Sequence, residues 1–397
     1  MKNLTWQNPE QLFVAQELIN KVKSKCCGIK EYIKYIGVML FWGLVSCQQN
    51  EMKNISNTYV DFFKSQSPLR TSSFCVENTY IKLSEDSIGN NLLKQIDKII
   101  VKDSIIYVAD TYMKNLFLYD MNGNFISSVG EKGEGPNGNL SLSDFCVDDK
   151  RNIYWYDGIK NRVQIYNGNL SLVNQYKIPF KAECLQWQNG SFLFSLAPYN
   201  IEPSTKGKCI AYTDSLFVLK DTFGNYDENI DLNIEFYSPF ISVSNGVSYN
   251  RAVNNNVFVF RDGFVEESLF FDFGQLNVKE EYLSNLNRML EEGGEYCYIA
   301  STPVFYKNLI LGCLNKSGEL FTFIYDLKEQ KSYIGNLAEY DSRNINIPLS
   351  LSDCGDVISF VNQDIYPNFK NDINFSEEIK NTLEEGSFLV CFSKLKI

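Results

Sequence analysis

Two stretches of this chain align with each other at a constant offset. The first runs Ile105-Ile106-Tyr107-Val108-Ala109-Asp110, then Asn115-Leu116-Phe117-Leu118-Tyr119. The second runs Asn152-Ile153-Tyr154-Trp155-Tyr156-Asp157, then Arg162-Val163-Gln164-Ile165-Tyr166. Tyr107 maps to Tyr154, Asp110 to Asp157 and Tyr119 to Tyr166, each 47 positions on. Both stretches are short β-rich runs separated by a polar turn, the pattern of adjacent antiparallel strands. An Asn122-Gly123 hairpin signal follows the first pair, and a further strand reads Phe125-Ile126-Ser127-Ser128-Val129. A unit this small cannot bury both faces of its own sheet, so it needs like neighbours on either side.

Later units keep the rhythm with less sequence likeness. Residues 191–196 precede Cys209-Ile210-Ala211-Tyr212 and Leu216-Phe217-Val218-Leu219; residues 256–260 precede 267–273; residues 309–314 precede 320–326; residues 357–361 precede 387–392. Four-stranded units of this length are blades of a β-propeller. Spread over residues 92–397, six blades average about 51 residues each. The expected fold is therefore all-β, a six-bladed propeller of four-stranded antiparallel blades with short helical insertions. A ring must also hide its sheet edges, so a strand near 78–84 is expected in the same blade as the C-terminal strand 387–395. Helical spacing occurs at residues 278–291, with Leu283, Leu286 and Leu290, and after Ser376, which is followed by Glu377-Glu378-Ile379 as an N-cap is. Both are expected on the rim.

Composition narrows the chemistry. The chain has no histidine, which excludes Ser-His-Asp and Cys-His nucleophile pairs, imidazole acid–base catalysis and His-ligated zinc. A net charge of −11 argues against a nucleic-acid partner. No cofactor or metal is expected. The oxygen-rich run Asp227-Glu228-Asn229-Ile230-Asp231 lacks the alternating ligands and central glycine of an EF-hand loop.

The address lies near the start. Residues 36–46 form an uncharged apolar run preceded by Lys30 and Lys34, too short to span a bilayer and of the right length for a secretory signal. Leu44-Val45-Ser46-Cys47 follows and resembles the lipobox of bacterial lipoproteins, with a small residue before the cut and a thiol for lipid attachment. Cys47 is the expected lipidation site, and the organisation is a signal peptide at 1–46, a lipid-anchored tether at 47–74 and a propeller at 75–397. Residues 1–35 are long for a basic leader, so translation is expected to begin near Val22. Removing 1–46 takes away six lysines and three glutamates, leaving a more acidic body. With Glu51 the only early acid after Cys47, the expected place is the outer membrane of the envelope, on the periplasmic side in preference to the cell surface.

The loop Gly130-Glu131-Lys132-Gly133-Glu134-Gly135-Pro136, the following Phe145-Cys146-Val147-Asp148, the strand end Phe271-Asp272-Phe273-Gly274 and the closing residues 388–396 resemble six-bladed β-propeller lipoproteins of the Bacteroidetes, which are similar in turn to NHL-repeat propellers. The resemblance spans about 75–397. It implies an exported propeller and assigns no activity. Asn137-Gly138-Asn139 stands where that family often places an acid. Asp86-Ser87-Ile88, Asp103-Ser104-Ile105 and Asp214-Ser215-Leu216 resemble the O-glycosylation acceptor of exported proteins of that group.

Individual residues point to structure more than to chemistry. The Gly133, Gly135 and Pro136 loop lacks the Gly-Lys-Ser/Thr ending of a phosphate cradle and reads as a tight connection. Asp110 and Asp157 recur at matching positions and are expected to fix turns. Tyr112, Trp155 and Tyr156 are candidates to stack on a sugar, the last two more plausibly buried between blades. Cysteines 75, 146, 184, 209, 297, 313, 354 and 391 are scattered without a Cys-x-x-Cys pair and are expected as free thiols. The expected function is a non-catalytic binding or protein-interaction platform for a glycan, peptide or envelope protein, attached to the membrane by its lipid; no catalytic residue is assigned and the ligand-binding residues are open. The alternative is a polysaccharide-acting hydrolase or lyase with two channel carboxylates as acid and base, at least one raised in pKa.

Overall fold

The computed structural model describes residues 55–84, 92–226, 239–243, 246–251, 253–283, 285–292, 294–337, 346–366, 370 and 375–396. The signal segment, Cys47, Val22, the triplet at 86–88 and the acidic run at 227–231 lie outside the described residues. Within them the chain makes six antiparallel blades arranged as a propeller.

An N-terminal segment of β1 (Ser56–Asp61), β2 (Gln66–Pro68), a helical turn at Thr71–Phe74 and β3 (Cys75–Lys82) precedes the first blade. Blade I comprises β4 (Lys98–Lys102), β5 (Ile105–Asp110), β6 (Asn115–Asp120) and β7 (Phe125–Val129). Blade II comprises β8 (Asp144–Val147), β9 (Ile153–Asp157), β10 (Arg162–Tyr166) and β11 (Leu172–Lys177). Blade III comprises β12 (Ala182–Gln188), β13 (Ser191–Leu196), β14 (Lys208–Thr213) and β15 (Leu219–Asn225). Blade IV comprises β16 (Phe240–Val243), β17 (Gly246–Tyr249), β18 (Asn256–Arg261) and β19 (Phe264–Asp272). In blade V the short β20 (Cys297–Ile299) and β21 (Val304–Tyr306) both pair with β22 (Leu309–Lys316), which continues to β23 (Glu319–Asp326) and β24 (Lys331–Asn336). Blade VI comprises β25 (Ser350–Leu351), β26 (Val357–Val361), β27 (Leu389–Leu395) and, from the head of the chain, β3.

Strand periodicity explains why neighbours are needed. In β5, Ile106 and Val108 enter the core shared with blade VI, while Tyr107 and Ala109 enter the core shared with blade II. In β9, Ile153 and Trp155 face blade I, and Tyr154 and Tyr156 face blade III. Alternate residues thus serve opposite seams, and the strand is apolar throughout because both of its faces are covered. The remaining seams repeat this: Leu193 with Val247 between III and IV, Phe271 with Ile310 between IV and V, and Ile324 with Val357 between V and VI.

Closure occurs where expected. β3 pairs antiparallel with β27, with Asn78 opposite Ser393 and Tyr80 opposite Cys391, so both chain ends build blade VI. Residues 55–74, expected as tether, lie on the body instead. β1 adds in parallel to the outer strand of blade IV and β2 to that of blade V. Phe62, between them, is fully buried, with its ring edge-on to Phe273 at 5.2 Å and Phe323 at 5.1 Å. Ser332 Oγ donates to the Phe62 carbonyl at 2.7 Å. The segment read as a strand at 216–219 is instead a turn, with Phe217 at φ +61°, and β15 begins only at Leu219. The helical spacing at 278–291 divides into a 3-10 turn at Glu280–Tyr282 and a helix at Leu286–Glu291. The second expected helix is Glu377–Glu384, capped by Ser376 Oγ accepting from Ile379 N.

Candidate functional site

Antiparallel order puts two kinds of connection on the same face: those between the second and third strands of a blade, and those between one blade's last strand and the next blade's first. The opposite face carries mostly tight hairpins, such as those at Gly123, Gly190 and Gly263. All helices described after blade I lie in connections of the first face. That elaborated face is the candidate site, since its connections come from every blade and surround the channel mouth.

The repeated aspartates anchor this face. Asp110, fully buried, accepts from Lys94 N at 2.7 Å, Gln95 N at 3.2 Å and Met113 N at 2.7 Å. Asp157, also fully buried, accepts from Leu140 N and Ser141 Oγ at 2.9 Å each and from Lys160 N at 3.1 Å. Each ties a second-to-third-strand turn to the connection entering its own blade, as the sequence led one to expect.

The glycine-rich loop is likewise spoken for. Lys160 Nζ donates to the carbonyls of Gly133 (3.3 Å), Glu134 (3.3 Å) and Gly135 (2.9 Å), and Arg162 Nη2 donates to Gly138 O at 2.6 Å. The loop therefore offers carbonyl oxygens to cations, the opposite polarity from a phosphate cradle. Gly130 is required by contact as well as by φ of +101°: a Cβ there would lie 2.7 Å from the Trp155 ring. Asn139, in the segment that departs from the family pattern, is buried and donates to Tyr166 Oη at 3.3 Å.

At the channel mouth one ion pair is buried. Lys98 Nζ lies 2.9 Å from Asp144 Oδ1, with side chains only 11% and 5% exposed, and also donates to Phe145 O at 2.9 Å. The other Asp144 oxygen accepts from Leu185 N at 2.9 Å, so this carboxylate joins the inner strands of blades I, II and III. Gln186 continues the polar lining, donating to Ser242 Oγ at 2.8 Å. Burial pushes the nearby thiols of Cys146 and Cys184 well up, leaving them protonated and unreactive as nucleophiles.

Among the described residues, five carboxylates are moved down in titration. Tyr59 hydrogen bonding lowers Asp272, Lys102 lowers Asp149, Lys220 lowers Asp214, Asn124 lowers Asp120, and Tyr282 lowers Glu292. A general acid at neutral pH requires the reverse shift. Among the described residues no group of three or more metal-ligating side chains converges. The eight cysteines from 75 onward are free thiols, and Cys354 is the exposed one.

Of the aromatic candidates, Trp155 and Tyr156 are buried, at 1% and 0% exposure, whereas Tyr112 is 72% exposed. Sequence reading missed its companions. Ile159 occupies the corresponding turn of blade II, and Tyr199 and Ile201 the corresponding connection of blade III, at 62%, 68% and 85% exposure. The signal was available in principle, as large apolar residues in segments already recognisable as turns. Ser104 and Ser215, the acceptors of two glycosylation-like triplets, are exposed in hairpins of the opposite face. Among the described residues no helix is long and apolar enough to cross a membrane.

Six radial blades closed by both chain ends, with the longer connections gathered on one face, define a six-bladed β-propeller. The chain belongs to the family described as Domain of unknown function (DUF4934), whose model matches residues 55–389. No curated protein matches it. A Bacteroides fragilis crystal structure, designated as that of an exported protein, is similar in fold at 19% identity and a TM-score of 0.68, covering 87% of this chain and 100% of its own. A DUF4221 family member from Bacteroides vulgatus matches at 11% identity and a TM-score of 0.46, covering 81% of this chain and 97% of its own.

Proposed function

We propose that the protein is an exported envelope lipoprotein, anchored through Cys47 on the periplasmic side of the outer membrane, whose propeller is a non-catalytic platform for a glycan, peptide or protein partner. The observation that carries the binding reading is the exposure of Tyr112, Ile159, Tyr199 and Ile201 on three consecutive blades of one face. Exposed large apolar groups on scaffolded loops are the material of recognition surfaces. The carboxylates beneath them, Asp110, Asp157 and Asp144, are engaged with backbone donors and Lys98, which leaves those three unsuited to act as acid and base. Export is supported by the designation of the Bacteroides fragilis relative in fold and by the apolar run before Cys47.

Photo-crosslinking in intact cells tests the platform. A benzophenone side chain at Tyr112 or Tyr199 should yield discrete adducts, and one at Leu216 or Met121 on the opposite face should not. Equal labelling from both faces, or none from the first, contradicts the reading. The anchor is tested separately: labelled fatty acid should enter the wild-type protein and be absent from Cys47→Ser.

A further inference from the structure

Arg251 differs from the other buried cations of the elaborated face. Lys98 has Asp144, and Lys160 has a nest of carbonyls. Arg251, in the connection after β17, is half-buried in the seam between blades III and IV. Its guanidinium carbon lies 3.9 Å from the centre of the Tyr226 ring, and Nη1 donates to Cys209 Sγ at 3.2 Å. Among the described residues no carboxylate pairs with it within 4.0 Å. A thiol is a weak acceptor, and a guanidinium carries five N–H donors in a planar fork suited to two parallel bonds.

An unsatisfied donor lies near it. Tyr249, two residues earlier at the end of β17, is 2% exposed, and its hydroxyl has no hydrogen-bond partner. The two groups are near enough for each to bear on the other's charge. Burial holds the Tyr249 hydroxyl well above its usual range, so it stays a donor at any physiological pH. A buried hydroxyl without an acceptor costs about 1–3 kcal/mol, and a half-buried cation that no carboxylate approaches to ion-pair distance is also unfavourable, the Glu183 carboxylate bearing on Tyr226 and Tyr249 only from farther off. Both deficits are relieved by one kind of group, an oxygen anion.

We propose that the seam of Arg251, Tyr249 and Tyr226 is a subsite for a carboxylate carried by the ligand of this face, with the guanidinium supplying charge and fork and Tyr249 a further hydrogen bond. The inference deepens the binding-platform reading and rests on it for the existence of a ligand, but its test uses no partner. The melting temperature of the purified protein is followed as sodium acetate replaces sodium chloride at fixed ionic strength, since a ligand of the folded state raises it by mass action. Wild type should show a saturating rise. Arg251→Gln should need at least about tenfold more acetate for the same rise, equivalent to about 1.4 kcal/mol. Tyr249→Phe should keep its melting temperature in chloride while responding severalfold more weakly to acetate, which a purely structural tyrosine would not do.

Equal acetate responses in wild type and Arg251→Gln overturn the proposal, as does a Tyr249→Phe variant that melts early in chloride yet responds normally. No response in wild type also overturns it, including where one emerges only after Asp227, Glu228 and Asp231 are neutralised, which would assign the guanidinium to the chain's own acids. Loss of crosslinking at Tyr112 and Tyr199 would sink the platform and leave the acetate result unchanged.

Discussion

One turn recurs at the residue scale in three successive blades. Asp120, Asn167 and Asp214 stand 47 positions apart, and each side-chain oxygen accepts from the backbone N–H two and four residues on. Gly123, Leu170 and Phe217 then take positive φ at matching places. The first two carry an Asn-Gly pair, at 122–123 and 167–168, which announces such a turn; the third has none, and Phe217 at its positive-φ position is no turn signal. Phe217 accepts that conformation because its ring is buried against Phe192, 4.7 Å away, in the seam between blades II and III. Asp157 was legible as a turn residue by its repetition, but its three donors were not. Asp157→Ala strands those donors in a buried place and should cost about 3 kcal/mol, read as a lower urea midpoint at unchanged slope. Asp120→Ala, on an exposed hairpin, should move the midpoint far less.

Buried acids set the response to alkali. Desolvation raises the thiol of Cys391 to about 11, those of Cys297 and Cys313 to about 12, and the hydroxyl of Tyr107 to about 12. These groups hold their protons more tightly when folded. Their contribution is complete below the ordinary thiol value of 9.0 and is lost as pH rises through 11–12. Stability should therefore fall from pH 9 upward, and Cys391→Ala, compared with wild type at each pH, should show a shallower decline. An unchanged slope between pH 9 and 11 would contradict the buried-thiol assignment.

At the scale of elements, the N-terminal strap departs most from what its sequence suggested. β1 presents one inward apolar residue, Val60, between exposed neighbours, so it carries too little alternation to be read as a strand. Its place is decided by blade IV, whose outer edge would otherwise be open, and by the pocket that Phe62 fills between blades IV and V. Phe62→Ala should cost about 3–5 kcal/mol by leaving a cavity there. Hydrogen exchange should speed up in β19 and β24 of that variant, while β9 and β10 keep their rates. The subsite around Arg251 was equally hidden: Cys209, Tyr226 and Arg251 come from three segments that no local motif links.

For the whole molecule, fold was legible where chemistry was not. The repeat showed blades because each unit solves the same packing problem with the same turn residues. Function depends on connections from different blades, whose meeting is set by ring geometry and not by spacing along the chain. Closure was readable for a physical reason: an open ring leaves edge strands unpaired, and only the head of the chain could cover the last one. The ring depends on β3 and β27 to shut the circle, and hydrogen exchange by mass spectrometry at increasing urea probes that pairing. The peptides covering 75–82 and 389–395 should be strongly protected in water and lose that protection together, at the same urea concentration as β5 and β9. Exchange of 75–82 at the rate of an unstructured peptide while 389–395 stays protected would contradict it.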